Sequence, residues 1–247
     1  NINLFRLRHA FIKLDWGNTQ LLTGQYWNPL FVTGCFPGTV SFNTGTPFQS
    51  FARNPQIRLT HKMGSLSVIV AALAQRDYTS RGVDGPSSSY LRNALLPDAH
   101  FQVQYKQDAF LAGVGVAYKT IVPRLYSDMG TAEYYTGTVN AGNVTITKVD
   151  ATSVKYKVDE KVSGLTAIAF AKLSLKPVTI KLQGRYGENI ADVLSISGFA
   201  VKEVVNATTG EQSYTPLTNT TVWGEIHTNG GNVEYGLFGG ILLNTGT

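Results

Sequence analysis

Basic residues occupy the polar positions of segments that alternate polar and apolar side chains: Arg6, Arg8, Arg58, Lys62, Lys106, Lys119, Lys172, Lys181 and Arg185. In an extended chain successive side chains point to opposite faces, so residues two apart share a face. A wall built this way draws anions. The arginine fork suits carboxylates, whereas the lysine ammonium acts as a point charge. Arg6 and Arg8, beside Gln25 and near Arg58 if the second and third segments adjoin, are the best candidates for a basic ladder. Arg53 stands just before the third segment and joins from the loop side. Glu225 and Glu234 fall opposite each other across "TNGG" (228–231) and are the only carboxylates expected on that face; the rest of the sixteen acids sit in turns, loops or strand ends. A solvated face with no selectivity role would show the same pattern.

Other chemistry has little support. The four histidines, His9, His61, His100 and His227, lack metal-ligand spacing, and the single cysteine, Cys35, excludes an internal disulfide framework and a cysteine metal site. Serines near His61 and His100 lack the G-x-S-x-G elbow of a nucleophile. Two carboxylates side by side in a wet wall fit an electrostatic feature better than a glycosidase pair. No cofactor, metal or catalytic centre is expected. The glycine-rich pieces match no phosphate loop, and the basic residues are not interleaved with aromatics as nucleic-acid binding requires.

The elements that must position these residues are strands. Period-two alternation predicts ten, at about 3–14, 19–28, 55–62, 65–76, 99–106, 109–120, 165–175, 178–187, 217–227 and 232–243. Short connections ("DWGN", "MG", "QD", "KP", "TNGG") alternate strictly with long ones at 29–54, 77–98, 121–164 and 188–216. Outer-membrane barrels sort their loops in this way, with short periplasmic turns and long outer loops. Inside the third long loop, "NVTITKV" and "SVKYKVD" predict a small extra hairpin. The 29–54 loop is apolar enough to fold inward and narrow a pore, or to lean on a neighbouring subunit.

Hairpin arithmetic gives each strand pair one wet and one oily face. Lys62 is expected opposite Ser65 and Arg58 opposite Ile69; Lys172 is expected opposite Lys181 and Ile168 opposite Arg185. The oily faces carry no charge except Lys13 beside the first turn, and aromatics gather near strand ends as in a membrane girdle. His9 is a misfit on the oily face, to be explained by a protomer interface or by a shifted register. A half-buried soluble sheet also alternates. However, only 15% of residues are charged, against roughly 25% in soluble domains, and no stretch is apolar enough for a membrane helix. The fold class expected is all-β: one transmembrane antiparallel β-barrel domain over residues 1–247 in the cell outer membrane. The first strand runs toward a periplasmic turn and the last rises into an outer loop. The chain is therefore expected to be an interior piece of a larger barrel, with a signal peptide upstream and an aromatic terminal strand downstream.

"RLRHAFIKLDWGNTQLLTGQYWNP" followed by "FARNPQIRLTHK" resembles the amino-terminal third of the DcaP-like trimeric porins of Gram-negative outer membranes. The resemblance covers about residues 4–62 and rests on an Arg-x-Arg strand, a "GQ-x-W" strand, a long loop and an "R-x-PQ-x-R" strand. It implies a sixteen-stranded barrel in a homotrimer, bounded by membrane lipid and lipopolysaccharide, through which small, often anionic solutes diffuse. The function expected is passive diffusion through a basic lumen, without enzymatic activity. The alternative is a plugged barrel with a structural or adhesive role through its long loops.

Overall fold

The structure is a computed structural model and describes residues 7–39, 45–131, 134–149 and 153–247. Ten strands form one antiparallel sheet in which each strand pairs with its sequence neighbour in the sheet. They are β1 (Ala10–Asp15), β2 (Thr19–Trp27), β3 (Arg53–Met63), β4 (Leu66–Leu73), β5 (Asp98–Gln107), β6 (Phe110–Ile121), β7 (Val162–Ser174), β8 (Val178–Glu188), β9 (Thr218–Thr228) and β10 (Gly236–Gly246). Most span nine to thirteen residues, the length a tilted strand needs to cross a bilayer. Nine of the predicted strands are present with ends shifted by a few residues; the first, expected at 3–14, is seen over Ala10–Asp15, and residues 3–6 lie outside the described residues.

Two rows of register show how the sheet sorts its faces. Leu14, Leu21, Leu59, Val70, Phe101, Val116, Ala167, Tyr186, Thr220 and Leu243 run side by side across all ten strands. Leu59, Val70, Phe101 and Val116 are 44–50% exposed. A continuous apolar face of this extent has hydrocarbon as its solvent. On the other face the neighbouring row reads Lys13, Leu22, Arg58, Ala71, His100, Ala117, Thr166, Gly187, Asn219 and Asn244. Polar groups buried on that side include Gln56, Gln102, Gln183 and Thr221. The chain is thus all-β, with the architecture of an outer-membrane barrel wall, apolar outside and polar inside.

Several expected registers move. The β3–β4 turn is Gly64–Ser65, with Met63 opposite Leu66, so Lys62 faces Ser67 and Arg58 faces Ala71. The glycine's positive φ of 61° explains the placement: the left-handed turn position belongs to Gly64. A shift of two keeps every side chain on its face. Lys172 does meet Lys181 and Ile168 meets Arg185. Glu234 does not meet Glu225: it lies exposed in the 229–235 connection, and Glu225 faces Phe238.

The first strand is inverted relative to the expectation. Lys13 pairs with Leu22, which faces Arg58, so Lys13 and Phe11 share the inner face while Ile12 and Leu14 look outward. His9 follows Phe11 inward, its ring 5.1 Å from those of Tyr26 and Trp27. Its place is explained by this shifted parity, with no subunit interface needed. In the 122–161 connection, Asn143–Val149 pairs with Tyr134–Asn140, and Ser153–Lys157 pairs with Tyr126–Thr131. The two predicted arms therefore do not pair with each other. A further hairpin, Phe199–Asn206 with Glu211–Pro216, stands in the fourth long connection.

Candidate functional site

The loop between β2 and β3 turns inward and lies across the inner face of the sheet. Its base is closed by Asn28: the backbone N–H donates to Ala52 O (3.0 Å), the side-chain amide donates to Asn54 Oδ1 (3.0 Å), and Oδ1 accepts from Leu30 N (2.9 Å). From there the loop reaches the far strands. The Cys35 thiol sits against the Ala171 and Leu182 carbonyls of β7 and β8. Burial pushes that thiol up to about 11, so it stays protonated. The Trp223 indole donates to Gln49 Oε1 (3.0 Å), and Thr221 Oγ1 donates to Phe48 O (3.0 Å).

This contact has a dry centre. Leu30, Val32, Cys35 and Ala52 of the loop pack on Leu111, Ile168, Phe170 and Trp223 of the inner wall, with Ile190 and Val193 from the connection after β8. The inner wall is therefore not wet throughout. Its apolar residues lie where the loop covers it.

Glu225 on β9 joins wall to loop. Its Oε2 accepts from the backbone N–H groups of Gly38 (2.6 Å) and Thr39 (3.1 Å). Its Oε1 accepts from Lys181 Nζ (2.7 Å) and lies 3.0 Å from His227 Nδ1. Lys181 also donates to Phe36 O (3.0 Å). Arg185, 2% exposed, donates to Ser50 Oγ, Pro47 O and Ser195 Oγ. Its charge lies behind the loop, with no carboxylate in ion-pair range among the described residues.

The basic residues read from the sequence thus separate into two groups. Lys119 is paired with Asp192, which dips in from the connection after β8, and both line a small cavity of about 30 Å³ with Asp98 and His100. Lys181 is paired with Glu225. Arg53 is not in the lumen: at the rim it lies over the Trp27 ring (3.9 Å) and pairs with Asp77 (3.3 Å). Arg58 is half-buried and, among the described residues, hydrogen-bonds neutral groups, Gln56 Oε1 (2.8 Å) and the Trp27 carbonyl, with its guanidinium 5.5 Å from the Tyr26 ring centre. Lys62, Lys106 and Lys172 stand on the inner face of the sheet, toward its short turns, with no ion pair among the described residues. Arg8 is exposed ahead of β1 and offset by one from His9, so it does not join Arg58; Arg6 lies outside the described residues.

Sequence reasoning missed Asp98, Asp192 and Asp77, because loop acids carry no signal of which strand cation they will meet. It also missed Trp223, whose signal was present: an indole at a wall position otherwise polar. Among the described residues no cluster of three or more histidine, cysteine or acidic side chains could hold a metal.

No protein-family model matches the chain, and no curated protein matches it in sequence. Among solved structures it is similar to a loop L8 deletion mutant of OmpT, an outer membrane protein of Vibrio cholerae. That likeness has 11% identity and a TM-score of 0.42, over 95% of this chain and 74% of that one. Outer-membrane expressed OmpT of Vibrio cholerae is similar at 10% identity and TM-score 0.42, over 94% and 70%. In-vitro folded OmpT is similar at 11% identity and TM-score 0.39, over 94% and 70%.

Proposed function

We propose that the chain forms the wall and constriction of an outer-membrane porin that passes small hydrophilic solutes and prefers anions. The carrying observation is the combination of an inward-folded loop with cations on the wall beside and below it that make no ion pair among the described residues: Arg58, Lys62, Lys106 and Lys172. Low-dielectric walls focus such charge, raising local anion concentration and repelling cations. Solutes cross by diffusion, so the site is the constriction and no covalent step is involved. The resemblance over residues 4–62 adds the trimeric DcaP-like porins as the proposed family, with lipid and lipopolysaccharide around a homotrimer.

A second reading is favoured by the apolar seal between loop and wall: a plugged barrel whose outer hairpins serve a structural or adhesive role. Reconstitution in a planar bilayer under a KCl gradient separates the two. The porin gives stable conductance with a reversal potential of anion-selective sign, and Arg58→Gln moves that potential toward zero. Absence of conductance supports the plugged barrel; a cation-selective potential overturns the charge assignment.

A further inference from the structure

Below the inward loop, one row of register carries three lysines. Lys106 of β5 faces Leu111 of β6, Leu111 faces Lys172 of β7, Lys172 faces Lys181 of β8, and Lys181 faces Glu225 of β9. Glu225 neutralises the last of them. Neither Lys106 nor Lys172 makes an ion pair among the described residues, and their backbones stand two strand spacings apart, about 10 Å. Between them lies a cavity of about 120 Å³, floored by Leu111, with Gly34 of the inward loop and Ser174 also on its lining. Gly34 lies close against Leu111: a Cβ there would come 2.6 Å from Leu111 Cδ2, so the leucine tip would have to move.

Two ammonium groups that line one cavity and make no ion pair attract an anion. Each ammonium is a point charge with rotatable donors, suited to a compact tetrahedral oxyanion, and the Ser174 hydroxyl adds a neutral donor. Asp108, at the β5–β6 turn, also lines the cavity and opposes the anion, so occupancy is expected to be weak and exchange fast.

We propose that Lys106 and Lys172 form a discrete binding site for inorganic phosphate, or a dianion of its size and charge, at the short-turn side of the constriction. The site rests on the reading of the inner face as an anion path, but its binding is measurable without conductance.

The test is phosphate titration of the full chain in detergent, followed by ³¹P line broadening and calorimetry at low ionic strength. The expected result is saturable binding, weakened at least tenfold in K106Q/K172Q, unchanged in K202Q on the exposed outer hairpin and strengthened in D108N. Binding unaltered in K106Q/K172Q, or no saturable binding by the unmodified chain, overturns the site. Saturable, lysine-dependent binding in a protein that gives no bilayer conductance upholds the site and removes the channel reading. Conductance without such binding does the reverse.

Discussion

Glu225 is 3% exposed, and both of its oxygens are engaged, one by the loop backbone and one by Lys181 and His227. Replacing it with glutamine leaves Lys181 buried without a counterion and weakens the acceptor for Gly38 and Thr39. Breaking one side of a buried pair costs about 3–5 kcal/mol. The expected outcome for Glu225→Gln is a less stable chain whose loop detaches from β9. In single-channel recordings it should show larger conductance and more open-channel noise. Adding Lys181→Gln removes the orphaned charge, so stability recovers while the conductance stays high; conductance equal to the unmodified chain would mean that Glu225 does not hold the loop. The sequence placed Lys181 and Glu225 on one face correctly, because side-chain parity survives any even shift of register. It mispaired Glu225 with Glu234, because the polar run "TNGGNVEY" has no pattern that fixes where pairing resumes, and the structure resumes it at Gly236. In the first strand the parity itself was inverted. Lys13 was the signal, a lone cation on the face assigned to lipid, where a charge is costly.

At the scale of elements, strands were legible and loops were not. A strand declares itself by period-two alternation, whereas a loop's path depends on contacts with residues far away in sequence. The 29–54 loop announced its apolar character, but only Leu111, Phe170 and Trp223 on the facing wall decide that it folds inward. The outer hairpins show the same dependence. Glu160 accepts two hydrogen bonds from Arg124 (both 2.7 Å), one from Gln212 N (2.7 Å) and one from the Tyr214 hydroxyl (2.9 Å), tying the third long connection to the fourth. Burial raises the Glu160 carboxyl, but the Arg124, Gln212 and Tyr214 hydrogen bonds together outweigh it and hold it below the ordinary carboxylate range. Burial, then the Glu160 contact, pushes Tyr214 up to about 12, so it remains a donor. Because the folded pKa of Glu160 lies below the unfolded one, its stabilisation is complete above the unfolded carboxylate value of about 4.3 and is lost as pH falls through the folded value. Protection from hydrogen exchange across residues 199–216, taken relative to the intrinsic amide rate at each pH, should therefore fall below about pH 4 compared with pH 7. In Glu160→Gln protection should be low at both; protection independent of pH in the unmodified chain would show that the tie does not hold the hairpin.

At the scale of the whole molecule, the two faces of the sheet meet different solvents, and this was the most legible feature of the chain. Alternation needs no knowledge of partners, and loop sorting needs only lengths. Which part of the outer face meets lipid and which meets a neighbouring subunit was not legible, since both demand apolar side chains. Substitution by lysine separates them. Val116, midway along β6 in the outward row, is 44% exposed and flanked by Phe101 and Ala167. A lysine in mid-bilayer on the lipid face of a barrel costs about 2–4 kcal/mol, falling toward zero at the interfaces. Val116→Lys should lower folding stability in lipid vesicles by that amount, measured by urea titration, while leaving any trimer intact on native gels. Val139→Lys, on the outer hairpin where Val139 is 69% exposed, should be neutral, because that hairpin stands clear of the hydrocarbon. If Val116→Lys instead dissociates a trimer without unfolding the protomer, β6 lies at the subunit interface. If both substitutions are equally tolerated, the outward row does not face hydrocarbon and the membrane architecture fails at its foundation.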